Sequence, residues 1–448
     1  MGTEFAGEKR RVVVLGAGFG GATCAAELVR RLPKGSEVVV IDRNNYTLYY
    51  PLLIEAGVGT LEPRHVTVPF RAQVPAADFR MAEVLSVDVD HKRVHYRVIG
   101  GGEDSVRYDH LVYSLGSVTK VPTNIPGLKE RGFELKSLVD AIALRDRGIR
   151  LLELANTLKT TEERHALLTF VVVGANFTGT ELAGEYHAFM QDAARRYPNV
   201  RRTEVRTVLL EFADRILGGT SEGLAEWCVK TLEKRGVDIR TGDTITEVGE
   251  DFAQTKGGER IATHTVVWAA GIAPNPTIEE WEVFPTNDKG YIECERDLRV
   301  KGLDGVWAIG DSAAVDSPDG KLYGATAQNA SRQGPLAARN IVATLAGEEL
   351  KTFDFSPLGS FAAIGHKQAA AQVFGRELRG FLGWVMYRGV YLMKMPTFKL
   401  KVRLIGDWIG ELLIPHEPVQ VGVHDEREGK VPGDAEPEES QMPRAFVK

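Results

Sequence analysis

Short apolar, β-branched runs recur along this chain, each closing on glycine and each followed by a stretch with helical spacing of its apolar positions. Val12 to Leu15 runs into Gly16-Ala17-Gly18-Phe19-Gly20-Gly21, and Phe170 to Val173 runs into Gly174-Ala175-Asn176-Phe177-Thr178-Gly179. Runs this short and this uniformly apolar read as strands covered on both faces, and their alternation with helical stretches predicts βαβ units on parallel sheets. The first unit spans Arg11 to Asp42 and the second Phe170 to Glu211. Between them, Asp109 to Gly116 reads as a buried strand ending on glycine, Pro122, Pro126 and Gly127 as a linker, and Leu138 to Ala155 as a helix. A third strand-to-turn unit, Gly305 to Asp311, follows the second βαβ unit, so the first domain is predicted to be discontinuous.

The glycines carry chemistry. In Gly16-x-Gly18-x-x-Gly21 the first glycine permits a tight turn, the second admits a pyrophosphate to the backbone, and the third lets helix and strand pack closely. The helix N-terminus then offers free N–H groups and a positive dipole end to phosphate. Asp42 closes the next strand, Val38 to Ile41, at the spacing where a carboxylate accepts hydrogen bonds from ribose hydroxyls. The alternative is a tight turn that only happens to hold its glycines. In the second copy Asn176 replaces the middle glycine. It either obstructs the phosphate, or tolerates an unusual backbone conformation and donates a hydrogen bond. Glu211, ending the strand Val205 to Leu210, is the ribose-binding candidate there. Its charge would repel a 2′-phosphate and favour NADH over NADPH, with Arg215 nearby softening that preference. Packing glycines are again the alternative.

Composition narrows the class. At 448 residues, 43 % apolar and 26 % charged, the chain suits a folded protein of two or three domains, and a net charge of −6 argues against nucleic acid as the main partner. Cys24, Cys228 and Cys294 are scattered, with no CxxC, so neither a redox dithiol nor a metal site is indicated. The N-terminal stretch has no apolar h-region, Ala6 stands where myristoylation wants Ser or Thr, and no run of 18 apolar residues exists to span a bilayer. The C-terminal part differs in character. From Arg376 to Arg403 the basic residues Arg376, Arg379, Arg388, Lys394, Lys399, Lys401 and Arg403 face one acid, Glu377, and seven less one leaves +6. Phe381, Trp384, Tyr387, Tyr391, Met393 and Phe398 are interleaved with them. This reads as an interfacial segment lying on a membrane, or as a helical pair docked on the protein's own core.

A strand ending in Ile309-Gly310-Asp311, after two βαβ units, resembles the second FAD fingerprint of two-dinucleotide-binding-domain flavoproteins, in which the Asp binds the flavin ribitol. Leu115-Gly116-Ser117 and Ala270-Gly271 resemble that family's strand-end glycines between its two domains. The resemblance implies an α/β fold of two Rossmann-like domains. The FAD domain, 10–125 with 298–360, is interrupted by an NADH domain, 126–297, and followed by a membrane-docking region, 361–415, and a disordered tail, 416–448. It implies FAD, tightly held, at Gly16, Gly18, Gly20, Gly21, Asp42, Gly116, Gly310 and Asp311, and NADH as substrate at Gly174, Asn176, Gly179, Glu211 and Gly271.

Three segments make the chain similar to type II NADH:quinone oxidoreductases in particular. Asn45 to Leu53 resembles that family's segment ending in Pro-Leu-Leu, with Tyr46 where His is common. Thr326 to Gly334 resembles its AQxAxQxG stretch beside flavin and quinone, with Ala327 and Gln328 matching and Arg332 where many members have Gln. Leu358 to Gly365, with its aromatic and basic sequel, resembles the C-terminal docking region. In Thr178-Gly179-Thr180-Glu181-Leu182-Ala183-Gly184-Glu185 the family's TGxExxGE pattern implies that Glu181 and Glu185 position cofactors or supply protons. Spacing alone would put them on one solvated helix face. Gln328, read as lying just before a helix, suits a quinone carbonyl or a capping or solvated role.

The implied activity is two-electron reduction of menaquinone or ubiquinone by NADH without proton pumping, at the cytoplasmic face of a membrane, peripherally bound. Family members often form homodimers, and no sequence feature decides this here. Four rival readings make different demands on the sequence. Sulfide:quinone oxidoreductase needs cysteines beside the flavin, and a disulfide reductase needs CxxC. A soluble ferredoxin or rubredoxin reductase has no use for the basic, aromatic C-terminus. A non-catalytic FAD-binding redox sensor would show little quinone turnover.

Overall fold

The computed structural model describes residues 9–357, 359–413 and 418–422. The expectations for the N-terminal leader, for Leu358 and for the tail past 422 lie outside the described residues. Strand β1 (Arg11–Leu15) runs into helix α1 (Phe19–Arg31) and then β2 (Glu37–Asp42), which lies parallel beside it with Val13 opposite Val39. A segment with a short strand, Tyr46–Leu48, and helix α2 (Leu53–Gly57) follows. The chain then enters β3 (Asp78–Asp88), which turns into an antiparallel meander with β4 (Arg93–Val98) and β5 (Glu103–Arg107). Strand β6 (His110–Tyr113) returns to the other side of β1. With parallel neighbours on both sides and layers on both faces, Val12, Val13, Val14 and Leu15 have no exposed surface, which is why the run is continuously apolar.

The second sheet is built next. Helix α3 (Leu138–Thr157) starts at a capping box in which Ser137 and Asp140 exchange hydrogen bonds. Strand β7 (Thr169–Val173), helix α4 (Phe177–Ala194), β8 (Arg206–Glu211), β9 (Val237–Thr241) and β10 (Thr265–Trp268) follow. The sheet runs Gly132–Phe133, β10, β7, β8, β9. Two short antiparallel strands, Ser117–Thr119 and Ile272–Pro274, carry the chain across and back between the sheets. Strand β11 (Val306–Ala308) then rejoins the first sheet beside β6, giving the order β11-β6-β1-β2-β3-β4-β5. Helix α5 (Ala327–Ala346) packs on α1 so closely that a side chain on Gly334 would strike Gly20 and Cys24.

Beyond it, β12 (Gly359–Ala363), β13 (Ala369–Val373) and β14 (Arg376–Arg379) form an antiparallel sheet, capped by α6 (Gly380–Lys394) and α7 (Phe398–Leu413). These helices divide by face. Trp384, Tyr387, Leu400, Leu404 and Trp408 join Leu52 and Leu53 in a buried cluster. Phe381 is 58 %, Met393 71 % and Phe398 81 % exposed, with Leu382, Val402, Ile409 and Leu413 exposed around them. The buried face matches the sequence reading of a helical pair docked on the protein's own core. Trp384, Tyr387 and Arg388 point inward, because Glu55, only 2 % exposed, needs a cation and accepts one from Arg388 at 3.2 Å. Glu411 meets the same guanidinium at 2.6 Å. No described helix is long and apolar enough to cross a membrane.

Candidate functional site

Both glycine turns are built alike. Gly16 has φ +94° and Gly174 φ +99°, in the left-handed region that glycine alone enters at little cost. A Cβ on Gly21 would collide with the carbonyl oxygen of Gly16, and one on Gly179 with that of Gly174. Each turn is then tied to the acid at the end of the next strand. Asp42 accepts from Ala17 N (2.7 Å) and Asn44 N (2.7 Å), and Glu211 accepts from Ala175 N (2.5 Å) and Ala213 N (2.9 Å). Burial holds the Asp42 carboxyl above its ordinary value, against the pull of those two N–H groups.

The middle positions differ only in side chain. Gly18 (φ −72°, ψ −166°) and Asn176 (φ −68°, ψ −171°) share one extended conformation. The unusual backbone considered for Asn176 is thus absent. Its Oδ1 accepts from Gly179 N (3.1 Å), capping α4, and its Nδ2 donates to Ala269 O (2.7 Å). Helix α1 has no such cap, and a Cβ on Gly18 would meet nothing within 4 Å. Open space before uncapped first-turn amides is a cradle that fits a pyrophosphate.

The ends of the parallel strands collect the rest, as expected for a ligand crevice in an open α/β sheet. Gly116 (φ +74°) faces open space. Gly271 (φ +83°) occupies the matching place beside the second sheet. Gly310 (φ +74°) donates its N–H to the buried amide oxygen of Gln333 at 2.7 Å. Gly20 faces Ile309 just beyond β11. Ser117 Oγ donates to Asp311 Oδ2 (2.9 Å) and receives a hydrogen bond from Lys136 Nζ (3.0 Å), whose ammonium lies 5.6 Å over the Tyr50 ring. Burial lowers the pKa of Lys136 and Asp311 opposes that. Sequence reading missed Lys136: it precedes a helix cap, and no periodicity marks a lysine that crosses from one domain to the other.

Gln328 is corrected from a position before a helix to the second residue of α5. Thr326 supplies the cap, accepting from Asn329 N at 3.2 Å, and Ala327 is the first helical residue. Gln328 Nε2 donates to Gly359 O at 2.8 Å, at the start of β12. The far end of the same strand is held by the acids of α4. Glu181 accepts from Ala363 N (3.0 Å) and Glu185 from Gly365 N (3.1 Å). A Cβ on Gly184, between them, would come within 2.6 Å of Ile364 O. The solvated acidic face is therefore corrected as well: the C-terminal sheet covers it. Burial pushes the Glu181 carboxyl well up, and burial with the nearby Glu55 charge pushes Glu185 up to about 8. At neutral pH Glu185 therefore carries a proton. Sequence reading missed Glu55 and gave Gly184 and Gly365 no packing role, because their partners come from distant parts of the chain.

Residues 10–334 match the family model for pyridine nucleotide-disulphide oxidoreductases, and residues 358–415 match the NDH2 C-terminal domain. A probable NADH dehydrogenase of Dictyostelium discoideum is 31 % identical over 415 residues, covering 91 % of this chain and 90 % of that protein. The type II NADH:quinone oxidoreductase of Staphylococcus aureus is 30 % identical over 83 % of this chain and 92 % of its own. Demethylphylloquinone reductase NdbB of Synechocystis sp. is 29 % identical over 89 % and 97 %. The fold is that of NDH2 from Plasmodium falciparum, solved with NADH, at a TM-score of 0.84 and 18 % identity over 92 % of this chain and all of that one.

Proposed function

The chain belongs to the pyridine nucleotide-disulphide oxidoreductases, in their type II NADH dehydrogenase branch, and from that premise we propose that its first glycine turn holds FAD, its second takes NADH, and the acceptor docks beside Gln328. The enzyme oxidises NADH and reduces a quinone. One observation carries the site assignment: the single strand β12 is held at one end by Gln328 and at the other by Glu181 and Glu185, joining both domains at one place. A bound flavin supplies the chemistry that side chains lack, accepting a hydride and releasing two electrons. The chain's own residues orient, exclude water and handle protons. Asp42 and Asp311 bind FAD hydroxyls, Gly16, Gly18, Gly20, Gly21, Gly116 and Gly310 admit its backbone-hugging parts, and Glu211 with Gly174, Asn176, Gly179 and Gly271 seats NADH. Glu181 and Glu185 hold the protons that quinol formation consumes.

Sulfide oxidation finds no support, since Cys24, Cys228 and Cys294 are all buried and burial pushes their thiols up, Cys228 to about 12, far from a thiolate nucleophile. The test is anaerobic NADH oxidation, slow alone and strongly stimulated by a menaquinone or ubiquinone analogue; no stimulation would overturn the reading. Glu211→Ala is expected to raise the Michaelis constant for NADH roughly tenfold or more, the worth of hydrogen bonds to a charged acceptor, with FAD content unchanged.

The exposed apolar face of α6 and α7, edged by Lys399, Lys401 and Arg403, suits peripheral attachment to the cytoplasmic face of an anionic membrane. Deleting these helices would also strip the cluster around Trp384 and Trp408, so substitution is the cleaner probe. Phe381→Ser with Phe398→Ser is expected to release the protein from phosphatidylglycerol vesicles in a sedimentation assay. Undiminished pelleting would place the membrane contact elsewhere.

A further inference from the structure

Arg332 stands one helical turn after Gln328, and its surroundings give it a use. Its Nη1 donates to Gln328 O (2.8 Å), and its guanidinium lies 3.9 Å from the centroid of the Phe355 ring. Gln328 is bonded to Gly359 at the start of β12, and two residues further along that strand Phe361 meets Tyr391 of α6 edge-on at 5.9 Å. Tyr391 also packs against Tyr49 at 6.2 Å and Tyr387 at 4.8 Å. Over the Tyr391 ring, at 5.9 Å, lies Lys394 Nζ at the end of α6. Lys394 thus stands over the aromatic cluster around Tyr391, near enough to feel the charge of Arg332, which is bonded to Gln328.

Neither cation has an acidic partner among the described residues. Burial lowers the pKa of both, and the charge of Arg332 lowers that of Lys394 further. Two buried cations elsewhere are neutralised by acids: Arg164 by Glu204, and Arg388 by Glu55 and Glu411. Arg332 is half-buried and Lys394 exposed, and holding two like charges near each other costs free energy that an anion placed beside them recovers. The aromatic wall adds a second demand. Flat rings stack against it, whereas a lipid phosphate has no flat face to offer.

We propose that Arg332 and Lys394 determine acceptor specificity, favouring quinones whose ring carries an anionic carboxylate or sulfonate over neutral quinones of the same ring system. This rests on the assignment of the acceptor to the Gln328 site. A glutamine, which many members of the family have at the position of Arg332, carries no charge to make such a selection.

The experiment uses the flavin-loaded enzyme and two acceptors, 1,4-naphthoquinone and 1,4-naphthoquinone-2-sulfonate, at low and high salt. The readout is the ratio of their kcat/KM values in the wild type, R332Q, K394M and R332K. Comparing ratios between variants cancels the difference in potential between the two quinones. The anionic-over-neutral ratio is expected to fall about tenfold in R332Q, about 1.4 kcal/mol, to fall in K394M and to recover in R332K. In the wild type it should decline with salt, as partly exposed charges are screened. An unchanged ratio in R332Q, with naphthoquinone still reduced, overturns the proposal and leaves the quinone activity standing. If R332Q and K394M instead lose binding to phosphatidylglycerol vesicles at unchanged ratio, the cations serve lipid, and the proposal is equally overturned. Failure of every variant and of the wild type to reduce either quinone would instead remove the acceptor assignment beneath it.

Discussion

Gly21→Val is expected to purify without flavin, while Gly179→Val keeps its flavin and loses its response to NADH. The two substitutions commit the same steric offence. In each, the new Cβ meets the carbonyl of the turn's first glycine, and that turn cannot yield. Gly16 is anchored by its N–H to Ile41 O at 2.8 Å and Gly174 to Leu210 O at 2.7 Å, with Ala17 and Ala175 bound to their acids. The helix must therefore back away, taking its first-turn N–H groups from the phosphate position. Because the local damage is matched, any difference in outcome reports which dinucleotide each turn serves. For Gly21→Val the flavin absorbance per protein should drop by more than tenfold, a loss of at least about 1.4 kcal/mol in binding. For Gly179→Val the flavin band stays and kcat/KM for NADH falls by roughly a hundredfold, about twice that energy. Flavin lost from Gly179→Val but kept in Gly21→Val would exchange the two assignments. Circular dichroism on both variants checks that they are folded.

The strand runs and glycine turns were legible because their causes are local. A parallel strand covered on both faces must be apolar throughout, and a turn at φ near +95° must be glycine. The return of β11 to the first sheet could be read for the same reason, from a short buried run ending in Gly310-Asp311. What escaped the sequence depends on residues far apart in it. Glu181 and Glu185 share a helix face at any reading. Whether that face meets water or protein is settled by Ala363 and Gly365, about 180 positions later. The inward turn of Arg388 is not legible from its own segment because its neutralising partner, Glu55, lies in the segment after β2. The start of α5 differs by only a couple of residues from the sequence reading, because the cap is Thr326 and the helix begins at Ala327. Asn176 shows the opposite case. The substitution was visible, but its meaning needed the dihedral angles, which match those of Gly18, and the side-chain hydrogen bond that caps α4.

Quinone-dependent turnover is expected to fall as pH rises through about 8, and Glu185→Gln to remove that limb while lowering turnover at neutral pH about a hundredfold, the low end of what general acids contribute. The sign follows from the direction of the shift. Burial, with Glu55 reinforcing it, raises Glu185 from 4.5 to about 8, so below that pH the carboxyl is protonated and has a proton to give. Above it, the proton is gone and the acceptor must find one elsewhere. The net reaction takes up one proton for each NADH oxidised, so the limb belongs to the acceptor half of the cycle. Stopped-flow reduction of the flavin by NADH, without quinone, should lack it. Glutamine is the right replacement because its carbonyl still accepts from Gly365 N, leaving β12 seated, whereas alanine would unseat it. Glu181→Gln is the companion, with Ala363 N still satisfied. The same shift gives a stability signature of defined sign. A carboxyl whose folded value lies above its unfolded one contributes fully below about 4.5 and loses that contribution as pH rises toward 8, so the wild type should lose stability across this window. Glu185→Gln should lose less over the same range. A variant that flattens the stability curve but retains the kinetic limb would show that Glu185 titrates as read and yet gives no proton to the acceptor. The limb would then pass to Glu181, and its survival in Glu181→Gln as well would remove both carboxyls from the proton path.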